Sequence, residues 1–335
     1  MISRRSLLVL SSCFILISCD GDPAAPRAGD MLQIEFANLA GIPVDVGHFE
    51  TWVHNGRDTV SVGRMAPVEG ALEPLRFEMP LDNATGAFVT IEPPSDADDR
   101  PSRAIILAGP FEAGSAQLVI EGALTDGRPL EDAPGAHSLF TTSNNVELGY
   151  PSYENAGLWL FTVVPARNRH GTREVKLTPL RSAWVYEGWI VKQTEPEVWI
   201  SYGKFRPDEL SLLRSRDDSG AGPFSGDEDF RNAGVEDVPG EEWTTARVAA
   251  QIGITLPPAL TLPLALDAVD AQGNALWHHV ITIEPAYDET EGPLEGRPFV
   301  VRPYENAIGP GGPGDPRTID FNPALPRASI RNASA

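Results

Sequence analysis

The sequence is poor in cysteine and in basic residues, and each shortage excludes a class of protein. Its only two cysteines, Cys13 and Cys19, lie at the start of the chain, so the body that follows has neither disulfides nor a cysteine nucleophile. The 26 lysines and arginines are outnumbered by 47 aspartates and glutamates, which gives a formal net charge of −21. Such a surface disfavours nucleic acid and anionic lipid as partners, and we interpret the acidity as an aid to solubility.

Familiar catalytic motifs are missing as well. No serine stands in a G-x-S-x-G setting, and no glycine-rich phosphate loop follows a strand-like segment. The six histidines include one adjacent pair, His278 and His279. Because neighbours on a strand point to opposite faces, this pair predicts no metal site. We therefore expect a protein without catalytic residues, a bound metal or a cofactor, apart from the weak calcium site considered below.

The first residues indicate export. Arg4 and Arg5 precede the apolar run "LLVLSSCFILIS" at 7–18, whose 12 residues are too few to span a bilayer as a stable helix. The stretch "LISC" at 16–19 resembles a bacterial lipobox, in which the cysteine is acylated after cleavage and becomes the new N-terminus. We predict lipidation at Cys19 and a membrane anchor through that lipid; the alternative is a soluble exported protein cut elsewhere.

Two elements of the chain are written twice. "TIEPPSDADDRP" at 90–101 and "TIEPAYDETEGP" at 282–293 agree at six of twelve positions. "HFETWVHNGRDTVSVGRM" at 48–65 parallels "VYEGWIVKQTEPEVWISYGKF" at 185–205, with three extra residues that we expect in the hairpin turn. The chain therefore contains a duplicated unit. The residue pairs that define the repeat are Glu50 with Glu187, Trp52 with Trp189, Gly63 with Gly203, and Glu92 with Glu284.

Short apolar runs separated by turn clusters, with 31 glycines and 31 prolines, predict an all-β fold. We predict two tandem β-sandwich-like domains, each closing its own apolar interior. Trp52 and Trp189, and likewise Ile91 and Ile283, should occupy equivalent places. The predicted bounds are a signal peptide at 1–18, a flexible tether at 19–30, the first repeat at 31–164, the second repeat at 165–308 with an acidic insertion at about 207–246, and a disordered Pro/Gly-rich tail at 309–335.

The four glutamates of the repeat are the only obvious acid candidates. A glycosidase built on Glu187 and Glu284 would need their carboxyl groups roughly 5 to 10 Å apart across a cleft. A structural role explains the same residues: a glutamate beside a tryptophan is ordinary on a strand, and Glu92 and Glu284 each precede a proline where a carboxylate can satisfy a free backbone group. We favour the structural interpretation.

Two further features suggest ligands. The acidic block offers carboxylates for weak calcium binding, but no EF-hand spacing is present, and a solvated loop is the favoured interpretation. Its candidate binding residues are Asp217, Asp218, Asp227, Glu228 and Asp229. The tryptophans could form a sugar-stacking platform, although such residues more often fill a core. They are Trp52, Trp159, Trp184, Trp189 and Trp199.

Both copies resemble the extracytoplasmic C-terminal domain of the anti-sigma-K factor family. The resemblance lies in "FETWV…SVGRM" and "YEGWIV…SYGKF", followed by "VTIEP" and "ITIEP". It implies a β-rich module outside the membrane and supplies no catalytic residues. The family's inhibitory part is a cytoplasmic helical segment, which we do not find, so no contact with a cytoplasmic sigma factor is expected.

Together these features predict a non-enzymatic, lipid-anchored protein of the bacterial envelope that acts in sensing or in protein interaction. Its partner, an envelope protein or a glycan, is not identified by the sequence. A carbohydrate-binding or weak calcium-binding module is the alternative, and a glycoside hydrolase using Glu187 and Glu284 is less favoured.

Overall fold

A computed structural model gives the fold, which consists of β-strands and one short helix. It describes residues 30–42, 47–65, 70–71, 75–77, 83–96, 98, 100–130, 135–139, 155, 157–159, 161–166, 169–174, 177–206, 216–217, 260, 264–286, 298–312 and 315–333. The strands of the first half are β1 (Asp30–Ala37), β2 (His48–His54), β3 (Thr59–Met65), β4 (Gly70–Ala71), β5 (Leu75–Phe77), β6 (Gly86–Glu92), β7 (Ile105–Glu112), β8 (Ser115–Val119), β9 (Gly135–Leu139), β10 (Leu158–Trp159) and β11 (Phe161–Ala166), with helix α1 (Ile120–Leu124) after β8. The remaining strands are β12 (Arg169–Glu174), β13 (Trp184–Lys192), β14 (Val198–Arg206), β15 (Arg216–Asp217), β16 (Trp277–Pro285), β17 (Val301–Ala307), β18 (Arg317–Phe321) and β19 (Arg327–Asn332).

The strands form two large antiparallel sheets and one small one. The first sheet has the order β3-β2-β6-β7-β8-β19-β1-β4, with β5 also paired to β1. The second has the order β10-β9-β18-β17-β16-β13-β14-β15, and β11 pairs with β12 separately. The all-β prediction is confirmed, and each copy of the repeat lies in a sheet of its own.

The two copies have the same strand order. The first copy is β3-β2-β6-β7 and the second is β14-β13-β16-β17. Within them, Ile91 lies opposite Phe49, and Ile283 lies opposite Tyr186. Both isoleucines are buried in the core, so their predicted equivalence is confirmed.

The tryptophans are equivalent too. Trp52 lies opposite Ser61 on the neighbouring strand, and Trp189 lies opposite Ser201. In both hairpins the register shifts immediately before the tryptophan, which is the mark of a β-bulge. The same irregularity at the same place makes the duplication a structural fact as well as a sequence pattern.

The three extra residues of the second hairpin are not all in its turn. The first hairpin closes at His54 opposite Thr59, and the second closes at Lys192 opposite Val198. Counting outward from the tryptophans, each strand of the second hairpin is one residue longer and the turn is one residue longer. The prediction that placed the whole insertion in the turn is wrong, because a hairpin can also lengthen by one ladder pair.

Apolar side chains from both sheets belong to one continuous core. It includes Phe49 and Ile91 of the first sheet and Tyr186 and Ile283 of the second. The indole nitrogen of Trp184, in the second sheet, donates to the carbonyl oxygen of Ile105 in the first at 3.1 Å. The expectation of separate interiors is therefore wrong: the inner faces of the two sheets exclude water together.

The C-terminal residues are ordered strands rather than a disordered tail. In β18 the buried residue is Ile319, and in β19 Ala328 and Ile330 are buried between more exposed neighbours. This alternation is the pattern of a strand with one buried face. The glycines and prolines between these strands hid this alternation in the sequence. The prediction of a disordered tail at 309–335 is therefore wrong.

The sheets also cross the predicted boundary between the repeats. Strand β19, from the far end of the chain, lies between β1 and β8 in the first sheet. Strand β9, which the prediction placed in the first repeat, pairs with β18 in the second sheet. Each sheet is therefore completed by a strand from outside its predicted repeat, so the bounds 31–164 and 165–308 separate the two sheets only in part.

The described part of the chain contains no helix that is long and apolar enough to cross a membrane. The predicted signal peptide, almost all of the tether and most of the acidic insertion lie outside the described residues.

Candidate functional site

The residues that define the repeat lie on the face of each sheet that points away from the shared core. On β2 the side chains of Phe49 and Val53 enter the core, so Glu50 and Trp52 point the other way. On the neighbouring strand β6, Thr90 lies opposite Glu50. This outer face nevertheless buries its polar groups, and that burial dictates how they must be paired.

In the first copy the buried groups form a chain of hydrogen bonds. The indole Nε1 of Trp52 donates to the hydroxyl of Thr90 at 2.8 Å. The Thr90 hydroxyl donates in turn to the Glu92 carboxylate. The same carboxylate accepts from the backbone N–H of Ser102, at 3.0 Å to Oε1 and 3.2 Å to Oε2.

The second copy repeats the chain. Trp189 Nε1 donates to the hydroxyl of Thr282 at 2.8 Å, and Thr282 donates to the Glu284 carboxylate. Glu284 Oε1 accepts from the backbone N–H of Phe299 at 2.9 Å. In each copy, therefore, the glutamate before the proline satisfies a backbone group beyond the strand, as predicted.

Burial raises the pKa of both carboxyl groups. For Glu92 the hydrogen bonds from Thr90 and Ser102 oppose this effect, and for Glu284 the charge of Lys204 and its hydrogen bonds do so. Glu187 and Glu284 are 2% and 1% exposed. The glycosidase alternative requires both carboxyl groups to face a cleft. Glu187 and Glu284 are instead enclosed on the adjacent strands β13 and β16.

Three of the five candidate sugar-stacking tryptophans are unavailable to a ligand. Trp52, Trp184 and Trp189 are among the most buried large side chains. The half-buried Trp199 packs edge-on against Trp189, with ring centroids 5.9 Å apart, and the Arg302 guanidinium lies 4.6 Å from its ring centroid. Of the buried three, Trp184 belongs to the shared core, as predicted, while Trp52 and Trp189 are buried on the outer faces of their sheets. The Trp159 side chain lies outside the described residues.

The bulge in the first hairpin explains the shared Ser-x-Gly-basic pattern. Trp52 pairs with Ser61 while Thr51 pairs with Gly63, so Val62 is the extra residue. Gly63 has φ of +144°, a conformation that other residues adopt only with strain. Because of the extra residue, Arg64 comes to lie directly opposite Glu50.

A polar cluster surrounds Glu50 in the first copy. Its Oε1 accepts a hydrogen bond from the Ser61 hydroxyl. Its Oε2 lies 3.5 Å from Arg64 Nε and 3.8 Å from His48 Nε2. Arg64 Nη2 also forms an ion pair with Asp96 Oδ2 at 2.8 Å. Ligand atoms of His48, Glu50 and Asp96 all lie within 4.8 Å of one another.

This cluster differs in the second copy. The ladder places Val185 opposite Glu284, where the first copy has His48 opposite Glu92. Lys204 lies opposite Glu187, in the place of Arg64. The glutamates and threonines are thus shared by both copies, whereas the imidazole belongs to the first alone.

Sequence reasoning missed this cluster. His48 and Asp96 are 48 residues apart by number, and only the β2–β6 pairing brings the turn after β6 beside the start of β2. One signal was available, since Asp96 is one of the six positions shared with the second TIEP segment. The His48 position carried no motif, and the sequence predicted no metal there.

A second histidine cluster lies in the core of the second sheet. The rings of His137 and His279 meet edge to face with centroids 4.7 Å apart, and both residues are 0% exposed. Burial lowers the pKa of His137 to about 3, with a further contribution from the charge of Arg317. Burial and the nearby His137 also lower the pKa of His279. His278 points away from His279, as the alternation of side chains along a strand predicted. Its Nδ1 lies 3.2 Å from Glu305 Oε1.

The remaining predicted site residues lie largely outside the described part of the chain. Cys19 and four carboxylates of the acidic block are not described, and Asp217 is described only as a backbone pairing of β15 with β14. The undescribed carboxylates are Asp218, Asp227, Glu228 and Asp229.

Comparison with known proteins adds no relative: no family model, curated protein or solved structure matches the chain significantly. The resemblance to the anti-sigma-K domain therefore remains a prediction from the repeated motifs.

Proposed function

We propose that this chain is a non-enzymatic, lipid-anchored protein of the bacterial envelope. Its two repeated units are extracytoplasmic domains of the anti-sigma-K type that sense or bind a partner outside the cytoplasm. The observation that carries the proposal is the shared use of the repeat glutamates. In both copies the acidic residue of the TIEP strand supports a neighbouring backbone segment from a buried position.

A buried support of this kind suits a scaffold for interaction. Glu92 and Glu284 are each 1% exposed, and both are occupied by a threonine and a backbone N–H. A general acid must reach the proton acceptor of its substrate within hydrogen-bond distance. Carboxyl groups held in this way stabilise the fold. Recognition of a partner is then left to the loops and outer surfaces.

The lipid anchor is supported by "LISC" at 16–19 after a basic start and an apolar run. Cys19→Ala should move the protein from the membrane fraction to the soluble fraction and abolish labelling by a radioactive or clickable fatty acid. Cys13→Ala is the matched control and should change neither readout. Unchanged membrane association and labelling of Cys19→Ala would contradict the anchoring.

The interaction is tested with the full chain carrying an affinity tag. Chemical cross-linking in intact cells, followed by mass spectrometry, should identify a protein partner in the envelope, and excess untagged chain should compete with it. In parallel, the chain is screened against glycans with and without a chelator. Binding to a glycan in place of a protein would contradict the proposal and favour the carbohydrate-binding alternative.

A further inference from the structure

We propose that the first copy of the repeat contains a site for a divalent transition metal, formed by His48, Glu50 and Asp96 and best suited to Zn²⁺. This inference concerns one copy only and does not depend on the lipid anchor or on the partner.

The strongest observation is a pair of buried atoms without hydrogen bonds. Glu50 Oε2 and His48 Nε2 are enclosed, neither has a hydrogen-bond partner, and they face each other at 3.8 Å. The Glu50 side chain is only 7% exposed. Leaving a buried carboxylate oxygen without a hydrogen bond is costly, and a shared metal ion would satisfy both atoms at once.

The third ligand completes a zinc-like donor set. Asp96 is 9% exposed at its side chain, and its carboxylate lies within 4.8 Å of the other two ligand atoms. Zinc binds imidazole nitrogen and carboxylate oxygen at about 2.0 to 2.2 Å, so tetrahedral ligand atoms stand about 3.4 Å apart. To reach that spacing, the three atoms would have to approach one another by up to about 1.4 Å. Calcium takes six to eight oxygen ligands and is a poor fit for this set.

Arg64 supplies the positive charge for the carboxylates when no metal is bound. Its guanidinium contacts both Glu50 and Asp96, yet its side chain is 51% exposed. A half-exposed arginine can turn into solvent without losing core contacts. Metal and Arg64 therefore compete for the same two carboxylates, and the metal replaces one positive charge by two.

The second copy provides an internal comparison. Val185 stands where the first copy has His48, and the hydrogen bonds from Trp189 through Thr282 to Glu284 are intact beside it. The fold of this unit does not require a histidine at that place. The imidazole in the first copy is therefore an addition that the shared support does not explain.

The test uses the full chain with Cys13→Ser and Cys19→Ser, which removes its only thiols. Isothermal titration with Zn²⁺ should show one site that His48→Val weakens at least tenfold. The valine copies the second unit, so the variant is expected to fold, and circular dichroism in the presence of chelator checks this. If it fails to fold, His48→Gln takes its place. A change of less than twofold in a folded variant overturns the proposal.

Two further variants separate this site from general binding to an acidic protein. His278→Val removes a half-buried histidine that also faces a glutamate, and it should leave the zinc affinity unchanged. Arg64→Gln removes the competing cation and should strengthen zinc binding several-fold. In addition, Co²⁺ bound to the parent chain should give visible absorption bands of low coordination number, which His48→Val should lose. Equal losses in His48→Val and His278→Val, or weaker binding in Arg64→Gln, would contradict the site.

Discussion

The first and second copies of the repeat share a buried hydrogen-bonded support. They differ at its rim, which in the first copy is formed by His48 and Arg64. In both, a tryptophan, a threonine and a glutamate are joined by hydrogen bonds across two strands. At the rim, the first copy has His48 and Arg64 where the second has Val185 and Lys204. What the copies share serves the fold, and what they do not share is where separate functions can arise.

The largest effect on stability is expected from removing the two equivalent tryptophans. Trp52→Ala and Trp189→Ala should each destabilise the protein by about 3 to 5 kcal/mol, because each deletes a buried indole and leaves a threonine without its donor. Urea unfolding followed by circular dichroism measures both. Trp199→Ala, at a half-buried ring, is the control and should cost less. A difference above about 2 kcal/mol between the first two variants would break the equivalence of the copies.

A second test uses pH to single out the second sheet, which alone contains the buried His137–His279 pair. The pKa of His137 in the folded protein is about 3, below its ordinary value of 6.5. Its contribution to stability is therefore present above pH 6.5 and is lost as the pH falls from 6.5 towards 3. His137→Leu should reduce this acid sensitivity by up to about 1.4 kcal/mol per pH unit. The half-exposed His278→Leu is the control, and parallel pH profiles for wild type and His137→Leu would contradict the prediction.

A third test compares the two glutamates of the TIEP strands. Burial raises both pKa values, so the stability that each neutral carboxyl contributes is present below pH 4.5 and is lost as the pH rises through the folded pKa. Glutamine keeps the accepting oxygen but no charge. Glu92→Gln and Glu284→Gln should therefore gain stability relative to wild type between pH 4.5 and 8. The change should reach roughly 1 to 3 kcal/mol for Glu284, whose Oε2 has no hydrogen-bond partner.

For Glu92 the gain should be smaller, because both of its oxygens accept from Ser102. Unfolding in urea at a series of pH values measures the two variants side by side. A larger gain for Glu92 than for Glu284 would reverse the expected order.

The smallest effect is expected from making the rims alike. Arg64→Lys gives the first copy the basic residue of the second, but an ammonium group cannot bridge Glu50 and Asp96 as the guanidinium does. Since Arg64 is half exposed, the loss should be at most about 1 kcal/mol and should diminish at high salt. A loss that salt does not reduce would show that the contact is not mainly electrostatic.

The sequence predicted those parts of the fold that are encoded locally. The TIEP strands were recognisable because Ile91 and Ile283 have the same neighbours in both copies, and the aromatic hairpins because Trp52 and Trp189 each follow a glutamate by two residues. Their buried and outward faces then follow from the alternation of side chains along a strand.

Long-range pairing was not predictable in the same way. Strand β19 is a short segment that follows the proline-containing turn at 322–326, and nothing local indicates that it belongs between β1 and β8. The cluster of His48 with Asp96 depends equally on which strands become neighbours. Proximity of this kind is a property of the sheet topology and leaves no spacing pattern in the chain.

The position of β19 has a consequence for biogenesis. A chain that leaves the ribosome or a secretion channel from its N-terminus presents β1 and β8 long before residues 327–332 emerge. Until then the first sheet remains in two pieces with unpaired edges, so the first unit cannot close cooperatively during synthesis. The first sheet therefore reaches its final pairing only after β19 has been synthesised.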